Sequence, residues 1–404
     1  MTFAQLWGEL LPVGRDEVTG GYRRYSWSDT DAACRAWFAR TATELGLRTD
    51  YDRNGNLWAW WGRPGSAPAI VTGSHLDSVP DGGAYDGPLG VVSAFAAISE
   101  LRSAGFRPAR PLGVAAFTEE EGARFGVACL GSRLLTGAIT PAAARDLRDQ
   151  DGVTLAAAMV AAGRDASAIG ADEELLAGIG AYVELHIEQG SALAGLGAAV
   201  GVAEGIWPHG RWRFDFAGRA DHAGTTRLAD RRDPMLPYAA TVLAARAAAE
   251  SSGALATFGK VAAEPGAANA ISSSVHAWLD ARAPDDAALE QLVSDVWTAA
   301  LAAAGQHGVA VRRRRESMSP QVIFDKALRD RLVGVLGAAG FEAPVLPTGA
   351  GHDAGVLAAK IPTAMLFVRN PSGVSHSPAE RTEVADCEAG VAALTAVLAD
   401  LAGE

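Results

Sequence analysis

The sequence predicts an α/β protein: a first domain built on a mixed central sheet flanked by helices, interrupted by an inserted α+β domain of ferredoxin-like order. Two observations carry the prediction. Strand-like and helix-like stretches alternate through the first two hundred residues or so, as layered α/β folds require. A β-α-β-β-α-β series then intervenes before that alternation resumes near residue 326.

Residues 56–61 and 67–71 read as strands, 90–103 as an amphipathic helix opened by Asp86-Gly87-Pro88, and 111–118 as a buried strand. This is the βαβ pattern. From Ile206 onward Trp212, Phe214 and Phe216 alternate as on a half-buried strand. A helix at 234–249, strands at 255–261 and 274–282, a helix at 285–304 and a strand at 309–313 complete the inserted series. Then come a helix at 326–339, a Gly-rich turn and helix at 348–359, a strand at 363–368 and a terminal helix at 386–401. The economical division is therefore 1–205 plus 318–404 for one domain and 206–317 for the insertion, whose ends lie close together.

The 404 residues carry 35 Lys+Arg against 47 Asp+Glu, a net charge of −12, which argues against a nucleic-acid partner. The basic run Arg312 to Arg315 ends an alternating stretch and reads as a solvated strand edge. Cys34, Cys129 and Cys387 form no CxxC pair and read as reduced thiols of a cytoplasmic protein. Neither a basic start followed by an apolar run nor an apolar stretch of about 18 residues occurs, so neither export nor a membrane span is expected. Of the eight histidines, five sit in Gly- or Pro-rich segments, and the chemistry is sought there.

His75 and Asp77 close a strand in Gly73-Ser74-His75-Leu76-Asp77, on one face, at the carboxyl end where α/β sheets place ligands. A metal-bound histidine commonly gives its other N–H to a carboxylate, although a surface turn explains the pair equally well in isolation. Asp86 follows at a helix start, where capping is the structural alternative. Glu119, Glu120 and Glu121 succeed a buried strand; three adjacent like charges there need either cations or solvent. Glu184, His186 and Glu188 share one face of a strand-like run, and His376 occupies a later turn. Three histidines with several carboxylates at element ends form the ligand inventory of a two-metal hydrolase.

The ordered motifs GSHLDSVPDGGAYDG, EEEGARF, ELHIEQG, ADHAGTT, PGAANAI with a downstream DAR, TGAGHDAG and SHSPAE run nearly the whole chain. Together they resemble the binuclear zinc amidohydrolases that include allantoate amidohydrolase, N-carbamoyl-L-amino acid hydrolase and β-ureidopropionase, relatives of the zinc aminoacylases and carboxypeptidases. The resemblance implies that His75 and His186 hold one ion, Glu121 and His376 the other, and that Asp86 bridges them. It makes Glu120 the general base on a shared water and Asp77 the residue that orients His75, and it leaves Glu119 without a role, as a solvated residue. The ions would be zinc, with manganese, cobalt or nickel also accepted by such ligands.

From the inserted domain, a lid and dimerisation domain in that family, the resemblance assigns oxyanion stabilisation to His222 and grip on a substrate carboxylate to Asn269 and Arg282. A guanidinium suits that task through its two parallel N–H donors. Gln189, Gly351 and His352 would line the pocket, with helix capping the alternative for His352. Two departures bear on the substrate. Ile206-Trp207-Pro208-His209-Gly210-Arg211 stands where relatives place a glutamine before a basic residue, and Arg227 replaces the proline of HAGTTPM. The segments VRNPSGVSHSPAE and PVGRDEVTGGYRRYSW resemble those of allantoate amidohydrolases, with His209 and Trp207 offered to a second ureido group. The expected protein is thus a homodimeric hydrolase of a small ureido substrate with a carboxylate. A non-catalytic ureide-binding relative would lack a ligand, and an aminoacylase or dipeptidase would carry an acid where HIEQG has histidine.

Overall fold

The computed structural model describes residues 1–403. Its fifteen strands are β1 (Arg48–Tyr51), β2 (Leu57–Trp61), β3 (Ala69–His75), β4 (Leu112–Phe117), β5 (Ile179–Ile187), β6 (Val200–Ile206), β7 (His209–Ala217), β8 (Asp221–His222), β9 (Leu255–Glu264), β10 (Ala270–Ile271), β11 (Ser274–Arg282), β12 (Ala310–Ser319), β13 (Val322–Ile323), β14 (Val345–Thr348) and β15 (Thr363–Val368). The chain divides into two compact units, Met1–Gly205 with Ile323–Glu404, and Ile206–Val322.

The first unit rests on a nine-stranded mixed sheet ordered β1-β2-β4-β3-β5-β15-β6-β13, with β14 also on β6. Strands β4, β3, β5 and β15 run parallel, while β2 and β6 join antiparallel. β3, β4 and β15 are buried at every residue, as parallel strands covered on both faces are. Helix Pro88–Ser103, with Pro88 in its first turn, buries thirteen of its sixteen residues. It shares one apolar cluster with the terminal helix Val384–Ala402 and with helix Asp29–Glu44. The terminal helix starts at Val384, two residues ahead of its sequence-predicted start at 386.

In the second unit an antiparallel sheet ordered β12-β7-β11-β9 is built from the series β7, helix Met235–Ser252, β9, β11, helix Asp286–Gln306, β12. Trp212, Phe214 and Phe216 of β7 and Val275 and Leu279 of β11 are buried in one cluster with residues of both helices, while the alternate strand positions stay half-exposed. The unit ends at Val322 rather than 317 because β12 continues to Ser319, which still pairs with His209. Arg312 to Arg315 lie exposed on β12, an edge strand. Among the described residues no helix is long and apolar enough to cross a membrane.

Candidate metal centre

Parallel neighbours present their carboxyl ends on one side of a sheet, and here those ends carry the histidines and acids of the first unit. β3 ends on His75, β5 holds His186 next to its last residue, and β4 runs out into Glu119, Glu120 and Glu121. Asp86 enters from the loop after β3, and His376 from the loop after β15.

Asp86 does not cap the helix it precedes: Gly87 occupies that position, and no side chain caps the turn. Gly87 has φ +87, and a Cβ there would sit 2.3–2.5 Å from ring atoms of His75, so only glycine lets the imidazole close on the aspartate. Asp86 Oδ1 lies 3.8 Å from His75 Nε2 and 3.2 Å from His186 Nε2, and its Oδ2 lies 3.4 Å from His376 Nε2. Glu121 Oε2 stands 3.4 Å from the same His376 nitrogen. Two groups of side chains able to hold a cation result, His75 with Asp86 and His186, and Asp86 with Glu121 and His376.

The buried nitrogens supply a test of fit. His75 Nδ1 meets the carbonyl of Asp77 at 3.1 Å and His186 Nδ1 that of Ile187 at 2.8 Å, so each Nδ1 is the protonated one. Both Nε2 atoms are buried without a hydrogen-bond partner among the described residues and turn lone pairs toward a carboxylate. Lone pair facing carboxylate oxygen is repulsive unless a cation lies between, so the donor set fits a divalent ion.

Charge points the same way. Burial raises Glu121, with the Asp86 charge adding to it, up to about 8. Burial also pushes Glu120 well above the usual carboxylate range against the lowering effect of His75, with Asp353, Glu121 and Asp77 adding to the rise. Asp86 behaves oppositely. Burial would raise it, but the surrounding imidazoles, His186 foremost with His75 and His376, hold it well below the ordinary value.

The structure redistributes several supporting roles. His75 Nδ1 meets both the backbone carbonyl of Asp77 at 3.1 Å and its carboxylate at 3.5 Å, and that carboxylate also accepts the N–H groups of Glu120 and Glu121 at 3.2 and 3.1 Å. Glu119 is fully buried, which corrects the expectation of a solvated residue. At φ +57 its carboxylate accepts the N–H groups of Arg124 and Phe125 at 2.8 and 2.7 Å, tying the EEEGARF turn together. Gln189 donates to Asp86 Oδ2 at 2.9 Å, and Ser375 reaches the same oxygen at 3.0 Å. Ser375 and the acceptor role of Glu380 toward the Asp86 loop escaped sequence reasoning; their only signal is membership of SHSPAE.

His352 is buried and makes no side-chain cap to helix Asp353–Leu357, so the capping alternative is set aside. Its ring stands 4.5 Å from that of His186, and burial, with the His186 charge, holds it well below the ordinary histidine value. Glu184, His186 and His352 form a third possible ligand group. Both Glu184 oxygens are already engaged, by the Ser74 hydroxyl at 2.7 Å and the Ala354 N–H at 2.9 Å, which leaves this group the weakest of the three. Gly351 precedes His352 with no atom within 4 Å of where a Cβ would sit. Glu188, on the same face as His186, caps helix Ala192–Leu196 through the N–H groups of Ala192 and Leu193.

In the second unit, strand register makes two pairs. β8 pairs with β10 so that His222 stands opposite Ala270, and the Asn269 carbonyl accepts the Ala223 N–H at 3.0 Å. β7 pairs with β11 so that His209 stands opposite Arg282, whose guanidinium donates to Asp280 at 3.0 Å. Burial lowers His209, with the Arg282 charge acting the same way. Arg227 is exposed and pairs with Asp230 at 2.7 Å.

Histidines and acids gathered at the carboxyl ends of a mixed sheet are the donor set of a metal-dependent hydrolase. Over residues 71–400 the chain matches Peptidase family M20/M25/M40, and it belongs to that family. It is 34% identical over 394 residues to N-carbamoyl-L-amino acid amidohydrolase of Geobacillus stearothermophilus, covering 96% of each chain. It is 33% identical over 379 residues to allantoate amidohydrolase of Bacillus subtilis, covering 93% of this chain and 90% of that one. Its fold is similar to the crystal structure of a hydantoinase/carbamoylase family amidase from Burkholderia ambifaria, with a TM-score of 0.89, 32% identity and coverage of 99% and 97%. The protein is a hydrolase of C–N bonds with a site for divalent metal.

Proposed function

We propose that the protein hydrolyses the ureido C–N bond of a small carboxylate, with allantoate, giving ureidoglycine, ammonia and carbon dioxide, as the preferred substrate. The register that sets His209 opposite Arg282 carries this choice. A guanidinium for the carboxylate then has a polar imidazole beside it, suited to a second ureido group, where an N-carbamoyl amino acid would need an apolar wall.

In this reading His75, His186 and Asp86 would hold one ion, and Glu121 and His376, again with Asp86, would hold the other. Two zinc ions there would polarise the ureido carbonyl and acidify water. Glu120 takes the proton from the attacking water on its carboxylate and returns it to the departing nitrogen, which leaves as ammonia. The carbamate that remains loses carbon dioxide. Gln189 and Ser375 hold Asp86 Oδ2 in place, and Asp77 holds the backbone of both glutamates. His222 accepts the Gly224 and Thr225 N–H groups on Nδ1, which puts the proton on Nε2, free to donate to the developing oxyanion. Arg282 and Asn269 grip the carboxylate, and Gly351 and His352 line the pocket.

Ammonia release from allantoate, measured against release from N-carbamoyl-methionine at equal concentrations, tests the choice. Faster turnover of the carbamoyl amino acid would replace it with the second reading, an N-carbamoyl-L-amino acid hydrolase, which the Geobacillus relative favours. We further infer a cytoplasmic homodimer assembled through unit Ile206–Val322, acting as lid and dimerisation domain. A monomeric mass by light scattering would refute the assembly.

A further inference from the structure

Cys129 lies against Glu120, although no step above uses a cysteine. The N–H groups of Cys129, Leu130 and Gly131 donate in succession to the carbonyls of Glu120, Glu119 and Thr118, at 2.6, 3.0 and 2.9 Å. The stretch that places the glutamate therefore also places the thiol. Cys129 itself adopts φ +55, a left-handed conformation rare for a residue with a side chain. Gly131 permits the close approach, since a Cβ there would stand 2.8 Å from Thr118 backbone atoms.

The Cys129 sulfur is 3.2 Å from Glu120 Oε1 and the residue is 3% exposed. Burial, with the charges of Glu120 and Asp353, pushes the thiol well above its ordinary value, so it keeps its proton and donates. Glu120 Oε2 is left facing His75 Nε2 at 3.7 Å.

We propose that Cys129 is a positioning residue for Glu120: its S–H holds Oε1 and fixes Oε2 as the atom that takes and returns the proton. The proposal rests on Glu120 being the general base. The torsion about a glutamate's carboxyl group is broad and roughly two-fold, so without a donor on one oxygen the plane of the base is poorly set. A thiol is a weak donor, which bounds the effect.

The test compares Cys129→Ala with Cys129→Ser in the metal-loaded enzyme. Alanine should lower kcat about tenfold, about 1.4 kcal/mol, and leave KM within about twofold and bound metal unchanged. Serine, which keeps a donor, should recover most of the rate. Equal loss in both variants, or a change in KM alone, would overturn the proposal. A second readout needs no substrate. The infrared S–H stretch, assigned by its loss in Cys129→Ala, should move to higher frequency in Glu120→Ala, and an unmoved band would remove the hydrogen bond. If the wild-type protein releases ammonia from neither ureide, the substrate reading fails while the infrared result still decides the contact.

Discussion

The carboxylate of Glu380 accepts the backbone N–H of Asp86 at 3.1 Å, and that of Tyr85 at 2.8 Å on the same oxygen. The segment bearing His376 is thereby hydrogen-bonded to the loop bearing Asp86, which ties together the two residues proposed to hold metal. Glu380→Ala should weaken metal binding about 10- to 100-fold, the usual cost of losing a residue that orients ligands, and Glu380→Gln less, since it keeps an acceptor. Gly83→Ala should act alike by a different route, because its Cβ would meet the Glu380 carboxylate at 2.3 Å. Competition with a chromogenic chelator measures all three.

Metal removal should cost stability as well as activity. The unpartnered Nε2 atoms of His75 and His186 and the buried acids around them are compatible with one another chiefly through a cation. A ligand at 100 times its Kd adds about 2.7 kcal/mol of stability, so dialysis against a chelator should lower Tm by several degrees and added zinc should restore it. An unchanged Tm would mean the cluster is satisfied by protons alone.

Much of this centre was legible in the sequence because its residues sit at element ends, where turn chemistry and strand alternation leave a trace. His75, Glu120, Glu121 and His186 lie where β3, β4 and β5 end, and Trp212, Phe214 and Phe216 alternate as the second unit's sheet requires. Contacts that join distant segments left no such trace. Glu119 looks like its two neighbours, and only its positive φ turns its carboxylate inward to Arg124 and Phe125. The Cys129 thiol reaches Glu120 through a backbone ladder that no periodicity announces. Helix Asp29–Glu44 was announced more plainly, by Ser28 as cap ahead of Cys34, Trp37, Phe38 and Thr41 at helical spacing, yet sequence reading passes over it.

Glu120 should separate chemistry from metal binding. It is not needed in either of the two ligand groups that share Asp86, and Gln has its shape without its basicity. Glu120→Gln should retain bound metal by elemental analysis while kcat falls about 10²- to 10⁴-fold, the contribution general acid–base catalysis commonly makes. Retained activity would assign the base elsewhere.

His222 offers the sharpest single test of the second unit's part. Its Nδ1 accepts the Gly224 N–H at 2.9 Å and the Thr225 N–H at 3.2 Å, and these contacts shape the turn that carries the ring. Asparagine at this position keeps an oxygen near Nδ1 and so preserves the turn, but has nothing where Nε2–H projects. His222→Asn should therefore leave folding and metal content intact and lower kcat about 10²- to 10³-fold, the cost of one oxyanion donor. Because that donor acts only as charge develops, KM should move little. A variant with normal kcat and raised KM would make His222 a substrate-binding residue instead.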